Sequence, residues 1–180
     1  MVTDAEVRHL PVPAKLFAYA DAYLAAAITF SQKMTLDAGL CTWPNGAVAL
    51  MLAAHSVELF LKGAILQKNP SANVWARGHN IESLASDFRA EFAQIPIEWD
   101  IPFGGTDMHL GTDFPDWLPD SEIETIKSQT PHPSIRYRYP VDKGGTERRG
   151  AEGFEPHSFL SLLLGLKTDF DRIQSLILRL

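Results

Sequence analysis

Three polar residues with possible functional roles lie on one apolar segment of this sequence. His55, Glu58 and Lys62 occur at positions i, i+3 and i+7, so on a helix they form one narrow polar line. The rest of residues 46–68 is rich in Ala and Leu and apolar on most sides, which predicts a central helix. The three residues are therefore candidate ligand-binding residues facing a groove, or an internally satisfied Glu58–Lys62 pair beside a core histidine. Pairing is favoured because buried charges are normally paired.

A second candidate ligand-binding set is basic and aromatic. Residues 136–149 read RYRYPVDKGGTERR and hold five Lys or Arg against two acidic residues. The candidate ligand-binding residues here are Arg136, Tyr137, Arg138, Tyr139 and Lys143. Interleaved Tyr and Arg beside a Gly-Gly turn could stack on bases and hold phosphates. The alternative is a solvated loop whose tyrosines anchor it to the rest of the protein.

Metal and cofactor chemistry has little support in the sequence. Asp107, His109 and Asp113 are ligand types for a hard or borderline metal, but their spacing matches no defined metal site. The sequence contains no glycine-rich dinucleotide motif, no phosphate-binding Walker loop, no zinc-protease motif and no serine-hydrolase elbow. We therefore expect no metal and no cofactor.

Three short segments, in this order along the chain, carry a resemblance to a known family. They read AAHSVELFLKG at residues 53–63, GHNIESL at 78–84 and IRYRYP at 135–140. These segments resemble the HEPN domain family, small all-α domains of prokaryotic toxin–antitoxin and defence systems that also occur next to nucleotidyltransferases. The resemblance covers roughly residues 46–140. It implies RNA or a nucleotide as the ligand, a homodimer, and a nucleotidyltransferase or antitoxin as a partner protein.

HEPN ribonucleases cut RNA without a metal, using an arginine followed after four to six residues by a histidine near the start of a late helix. No arginine here has a histidine at that spacing, and seven residues separate Arg149 from His157. An irregular loop could still bring Arg148 or Arg149 to His157, which makes these three the candidate catalytic residues of a rearranged site. The favoured alternative is that His157 only begins the last helix and the arginines are solvated.

The leading prediction is thus a non-catalytic RNA- or nucleotide-binding module in a bacterial stress or defence setting. A metal-independent ribonuclease with a rearranged site is the first alternative. A protein-interaction module with no nucleic-acid role is the second.

Composition and charge restrict the class of protein to which this sequence can belong. The chain has 180 residues, 46% of them hydrophobic and 21% charged, which fits one soluble domain with a sizeable core. The net charge of −6 argues against non-specific coating of nucleic acid. A single cysteine, Cys41, and the absence of a signal-peptide pattern predict a cytoplasmic protein. Residues 46–68 are long enough to cross a membrane, but the polar line at their middle would be costly there.

Hydrophobic periodicity predicts an all-α fold in one domain, residues 1–180. We predict four long helices, over about 14–38, 46–68, 81–93 and 156–180, and one short helix over 121–128. Trp43 to Gly46 should form a turn that makes the first two helices antiparallel, Asn80 should cap the third helix, and Pro156 should lie in the first turn of the last. Residues 95–155 are rich in Pro and Gly and predict a long loop, mostly ordered by its aromatic residues. This is a HEPN-like helical bundle with a long loop before the last helix.

Overall fold

A computed structural model describes residues 3–103, 119–122, 132–141, 144–145 and 154–179. The helices are α1 Ala5–Arg8, α2 Val12–Leu36, α3 Trp43–Lys68, α4 Ile81–Glu91, α5 Pro133–Arg136 and α6 Pro156–Ile177, with 3-10 helices at Ala38–Leu40 and Val74–Arg77. The predicted all-α bundle with four long helices is confirmed. Of the predicted short helix, residues 121 and 122 are helical and the remainder lies outside the described residues.

Helix α3 is the centre of the bundle, as its apolar circumference predicts. It contacts α2, α4, α5 and α6, and the Phe60 ring at its middle stacks on Phe170 of α6 with 4.0 Å between centroids. On the other side, Phe17 of α2 lies 5.2 Å from Phe60. By length and composition α3 could cross a membrane, but 72% of its apolar window is buried inside the bundle, as in the core helix of a soluble protein.

The long helices α2 and α6 run in opposite directions relative to α3. Near its start, α2 packs on the later part of α3, because Phe17 lies against Gly63, while Tyr23 packs on the earlier residue His55. These two helices are therefore antiparallel, as predicted. The opposite holds for α6, which begins beside Gly46 through Phe154 and reaches Phe60 only at its later residues, so α6 runs parallel to α3.

One predicted boundary is wrong. Trp43, Pro44, Asn45 and Gly46 do not form a turn but make the first turn of α3. The reason is that proline is well tolerated at the first positions of a helix, where its missing N–H would have no partner. The same applies to Pro13, which lies in the first turn of α2. The other predicted ends agree with the structure to within three residues, and the Asn80 side chain caps α4 by accepting a hydrogen bond from the Ser83 N–H.

The described beginning of the predicted loop is packed onto the bundle. Trp99 makes edge-on contacts with Phe60, Phe88 and Phe170 at 5.6 to 6.0 Å between ring centroids. Ile101 and Phe103 are buried beyond it. Aromatic anchoring of this loop is therefore confirmed over residues 95–103. Through Trp99 this part of the chain packs against α3, α4 and α6.

Candidate functional site

The polar line on α3 is a cluster of hydrogen bonds around one buried carboxylate. Glu58 is 2% exposed and accepts from the Lys62 Nζ at 2.8 Å. His55 Nδ1 lies 3.3 Å from Glu58 Oε2, and His79 Nδ1 lies 3.0 Å from Oε2 and 3.2 Å from Oε1. Both carboxylate oxygens are thus shared among three partners. The predicted internal pairing of Glu58 with Lys62 is confirmed.

Lys62 and His55 also contact residues other than Glu58. The Lys62 Nζ donates a second hydrogen bond, of 2.7 Å, to the Gly78 carbonyl and lies 5.3 Å from the centre of the Trp75 ring. His55 packs edge-on against Tyr23, 4.7 Å between ring centroids. The cluster therefore joins α3 to α2 and to the segment before α4. His55, Glu58 and Lys62 use much of their hydrogen-bonding capacity inside the protein.

The electrostatics of Glu58 follow from these contacts. Burial alone would raise the pKa of the Glu58 carboxyl, but hydrogen bonds from His55, Lys62 and His79, together with the Lys62 charge, lower this pKa to about 2. Glu58 is therefore ionised at neutral pH. An ionised carboxylate only accepts hydrogen bonds, so the Nδ1 atoms of His55 and His79 must both carry hydrogen.

His79 is the more exposed histidine of this cluster, with 40% of its side chain exposed against 18% for His55. Because Glu58 holds its Nδ1, the Nε2 atom is left to exchange protons or to meet a ligand. His132, half-buried just before α5, lies close enough to His79 for their charges to interact. Burial and the His79 charge lower the pKa of His132, while Glu58 and Glu82 oppose this shift. His79 and His132 thus interact electrostatically although they are far apart along the chain.

The described part of the basic and aromatic segment, residues 136–141, which we call the Arg/Tyr segment, has a buried beginning and an exposed end. Arg136 and Tyr137 are each 8% exposed, and the Tyr137 ring packs edge-on on Trp43 at 6.5 Å. Burial raises the pKa of the Tyr137 hydroxyl, against a smaller effect of the Arg136 charge. Arg138 and Tyr139 are exposed. The predicted anchoring by tyrosine is thus true of Tyr137 and not of Tyr139.

The candidate catalytic residues are only partly described. His157 is exposed in the first turn of α6, where the Glu155 carboxylate caps the helix by accepting from the N–H groups of His157 and Ser158. The hydrogen bonds from these two backbone groups lower the pKa of Glu155. Within the described part of the chain, the His157 ring makes no hydrogen bond. Arg148, Arg149 and Lys143 lie outside the described residues.

The start of α6 lies at the same end of the bundle as the Arg/Tyr segment. Phe154 packs on Gly46, one turn after Trp43, and Trp43 contacts Tyr137. His157, Arg138 and Tyr139 therefore share this end, which we call the α3/α6 end.

The described residues hold no group of three or more His, Cys, Asp or Glu suited to a metal ion. Asp107, His109 and Asp113 fall outside those residues. An apolar pocket of about 540 Å³ lies near the opposite end of α3, lined by Pro11, Val12, Pro13, Leu66, Gln67, Pro70 and Trp75.

No protein-family profile, curated protein sequence or solved structure matches this chain. The resemblance to HEPN domains therefore stays a prediction from the three sequence segments.

Two residues of the site were not identified from the sequence. His79 lies in the GHNIESL segment and carried no functional prediction, but its ring binds the Glu58 carboxylate. His132 carried no signal beyond its place in a His-Pro pair ahead of the Arg/Tyr segment. Both lie far from Glu58 along the chain, and helical periodicity cannot report such contacts.

Proposed function

We propose that this protein is an RNA-binding module that takes single-stranded RNA at the α3/α6 end of the bundle. The proposal rests on the difference in burial between neighbouring residues of the Arg/Tyr segment. Arg136 and Tyr137 are buried, so the exposed Arg138 and Tyr139 follow a backbone that is anchored immediately before them. A fixed backbone lowers the conformational entropy that these side chains lose on binding.

The chemistry of the exposed groups suits a nucleotide chain. Tyr139 is 53% exposed and Trp43 is 39% exposed, and a base stacked on such a ring contributes about 1–3 kcal/mol. The Arg138 guanidinium can contact a phosphate with two parallel hydrogen bonds. With a net charge of −6, the chain as a whole does not attract RNA. We therefore expect modest affinity that depends on a few phosphate contacts.

The direct test is fluorescence anisotropy of a labelled single-stranded RNA with 2′-O-methyl groups, which prevents cleavage. Arg138→Gln and Tyr139→Ala should each weaken binding about tenfold, the effect of about 1.4 kcal/mol. Arg89→Gln and Tyr19→Ala are matched controls, because both residues are exposed and lie towards the opposite end of the bundle. Equal affinity in all five proteins would refute the proposed surface.

Salt dependence gives an independent check on the same binding reaction. Neutralising about two or three single-strand phosphates predicts a slope of roughly −1.5 to −2 in log affinity against log salt. Arg138→Gln should reduce this slope and Tyr139→Ala should not, because only the arginine contacts phosphate. A slope near zero in the wild type would mean that stacking alone holds the ligand.

A second candidate function, protein interaction, is favoured by the apolar pocket near the end of α3. Trp75 is 57% exposed and Val12 is 51% exposed, and both line this pocket, which is the kind of surface that partner proteins cover. Trp75→Ser should then abolish recovery of a specific partner from the cells that produce this protein, while Tyr139→Ala should not. If both variants recover the same proteins, this pocket is not an interface.

The resemblance to HEPN domains is the basis for a proposal on the cellular system and the oligomeric state. We propose a cytoplasmic protein of a bacterial stress or defence system that forms a homodimer. The exposed apolar residue Leu164 of α6 is a candidate contact of this dimer. Light scattering after size-exclusion chromatography measures this mass directly, and a monomer at all concentrations would refute the dimer.

A further inference from the structure

We propose that the apolar pocket at the end of α3 binds a short extended peptide of a partner protein, with apolar side chains in the pocket and acidic residues beside it. The pocket has a volume of about 540 Å³, which lies within the range of ligand sites. The inference rests on the protein-interaction candidate described above and names the chemistry of the partner. It is independent of RNA binding at the α3/α6 end.

The Trp75 ring is an exposed aromatic anchor that is held in place at the rim of this pocket. It is 57% exposed, and the Lys62 Nζ lies 5.3 Å from the ring centre. The 3-10 helix that carries Trp75 is joined to α4 by two hydrogen bonds from Arg77 to Asp87. A fixed aromatic side chain loses little conformational entropy on binding, and tryptophan is common among the residues that dominate protein interfaces.

Two backbone carbonyls at the end of α3 lack the N–H groups that would pair with them in a continued helix. The Leu66 carbonyl would accept from residue 70, but Pro70 has no N–H. The Gln67 carbonyl would accept from Ser71, whose N–H instead donates to the Asn69 side chain at 3.2 Å. Leu66, Gln67 and Pro70 all line the pocket. A ligand with N–H groups therefore finds acceptors here that otherwise bind water.

The start of α2 supplies complementary donors to the same pocket. The helix begins after Pro11, whose side chain makes no capping hydrogen bond, so the Val12 N–H has no acceptor among the described residues. Because α2 and α3 are antiparallel, the positive end of α2 and the negative end of α3 both lie at the pocket. A peptide main chain alternates N–H donors and C=O acceptors, so it can pair with both helix ends. An apolar molecule without such groups cannot.

The pocket is open along its rim, which suits a chain better than an enclosed small molecule. Its lining residues Pro11, Val12, Gln67, Pro70 and Trp75 are all exposed. Sites for small ligands usually bury most of the ligand surface. An extended peptide instead leaves one side of its chain in solvent, while its alternate side chains occupy the pocket.

Charge at this end of the bundle favours acidic residues beside the apolar part of the peptide. Lys15 near the start of α2 and Lys68 at the end of α3 flank the pocket residues along the chain. Neither lysine forms an ion pair with any residue that the structure describes. In α1, Arg8 neutralises Asp4, so Glu6 alone opposes the two lysines there. The local charge is therefore positive, although the whole chain carries −6.

The first experiment selects binders from a display library of random peptides of about twelve residues, on the full chain immobilised through its C-terminus. The enriched peptides should combine apolar residues with neighbouring aspartate or glutamate. Trp75→Ser, with folding checked by circular dichroism, should retain about one tenth of them or less, whereas Tyr139→Ala at the other end of the bundle should retain them all. Selection of no peptide that depends on Trp75, or of basic peptides, would overturn the inference.

The second experiment measures the most enriched peptide by isothermal titration calorimetry on variants of the two helix ends. Pro70→Ala restores an N–H that can pair with the Leu66 carbonyl, so it should weaken binding about threefold to tenfold, the effect of one hydrogen bond. Lys68→Glu should weaken binding by a similar factor and only at low salt. Lys33→Glu is the matched control, because Lys33 is exposed in the last turn of α2, at the opposite end. Wild-type affinity in both test variants would contradict peptide binding between the helix ends.

This inference and the candidate functions fail in different ways. A partner protein recovered through Trp75, with no peptide selected through Trp75, overturns the peptide chemistry and leaves the protein interaction standing. Peptides selected through Trp75, with no partner recovered from the cells, support this pocket and refute the interaction in those cells. RNA binding is measured separately with Arg138→Gln and Tyr139→Ala, so its failure changes neither result.

Discussion

The buried Glu58 carboxylate makes the stability of this protein depend on pH in a predictable way. Its pKa falls from 4.5 in an ordinary glutamate to about 2 in the folded protein. The folded state therefore holds the Glu58 proton less tightly than the unfolded chain does. The stabilisation from ionised Glu58 is complete above about pH 4.5 and is lost as the pH falls from there towards 2.

The structure gives the size of this effect. A pKa difference of 4.5 − 2 = 2.5, at 1.36 kcal/mol for each pH unit, corresponds to about 3 kcal/mol of unfolding free energy at neutral pH. Solvent screening is small, because the Glu58 side chain is 2% exposed. Glu58→Gln removes this titration and leaves Lys62 buried without its charged partner. We expect that variant to lose about 3–5 kcal/mol at pH 7.

The assay is guanidinium unfolding of both proteins, followed by far-ultraviolet circular dichroism at pH 7, 6, 5, 4 and 3. The difference in unfolding free energy should stay constant from pH 7 to pH 6 and shrink by about 2 kcal/mol by pH 3. Taking the difference cancels the other carboxyls, including Asp21, whose pKa is raised by burial. A difference that does not change down to pH 3 would refute the assignment of Glu58 as the centre of the cluster.

Lys62→Met tests the same cluster by a double-mutant cycle. Removing Lys62 alone leaves Glu58 with only the histidines, so we expect a loss of about 3 kcal/mol. In the Glu58→Gln, Lys62→Met double variant no buried charge remains unpaired, so its loss should be clearly smaller than the sum of the single losses. Additive losses would show that the two side chains do not depend on each other.

Three further predictions concern the elements that hold the site. Gly63→Ala should cost about 1–3 kcal/mol, because the new methyl group would lie 3.1 Å from the Phe17 ring in a close-packed contact. Gly165→Ala, where no atom lies within 4 Å, should instead stabilise α6 by about 0.5–1 kcal/mol. Asn80→Ala should cost about 1 kcal/mol through loss of the hydrogen bond from the Ser83 N–H. Chemical unfolding measures all three, and Gly63→Ala as stable as Gly165→Ala would contradict the close packing of α2 on α3.

Local patterns were enough to predict the frame of this fold. The apolar circumference of residues 46–68 predicted a central helix, and the spacing of Glu58 and Lys62 predicted their pairing. Both depend on contacts within one helix, where periodicity fixes which side chains are neighbours. The first turn of α3 was assigned wrongly because a proline is compatible with a turn and with a helix start, and Pro44 occupies the latter.

The site itself depends on tertiary contacts that local sequence patterns do not predict. His79 is 21 residues from Glu58, and the position of its ring follows from how the segment before α4 crosses α3. The exposure of Tyr139 and the burial of Tyr137 likewise depend on the path of one short segment. Both residues are tyrosines, so only tertiary packing determines that Tyr137 anchors the segment and that Tyr139 is exposed.

RNA binding at the α3/α6 end can be measured directly by photo-crosslinking of single-stranded RNA containing 4-thiouridine, with the linked peptides identified by mass spectrometry. We predict that crosslinks concentrate on Trp43 and Tyr139 and decline when unlabelled RNA competes. Crosslinks confined to peptides of α2 or α4, or none at RNA concentrations that saturate the protein, would contradict RNA binding at the α3/α6 end.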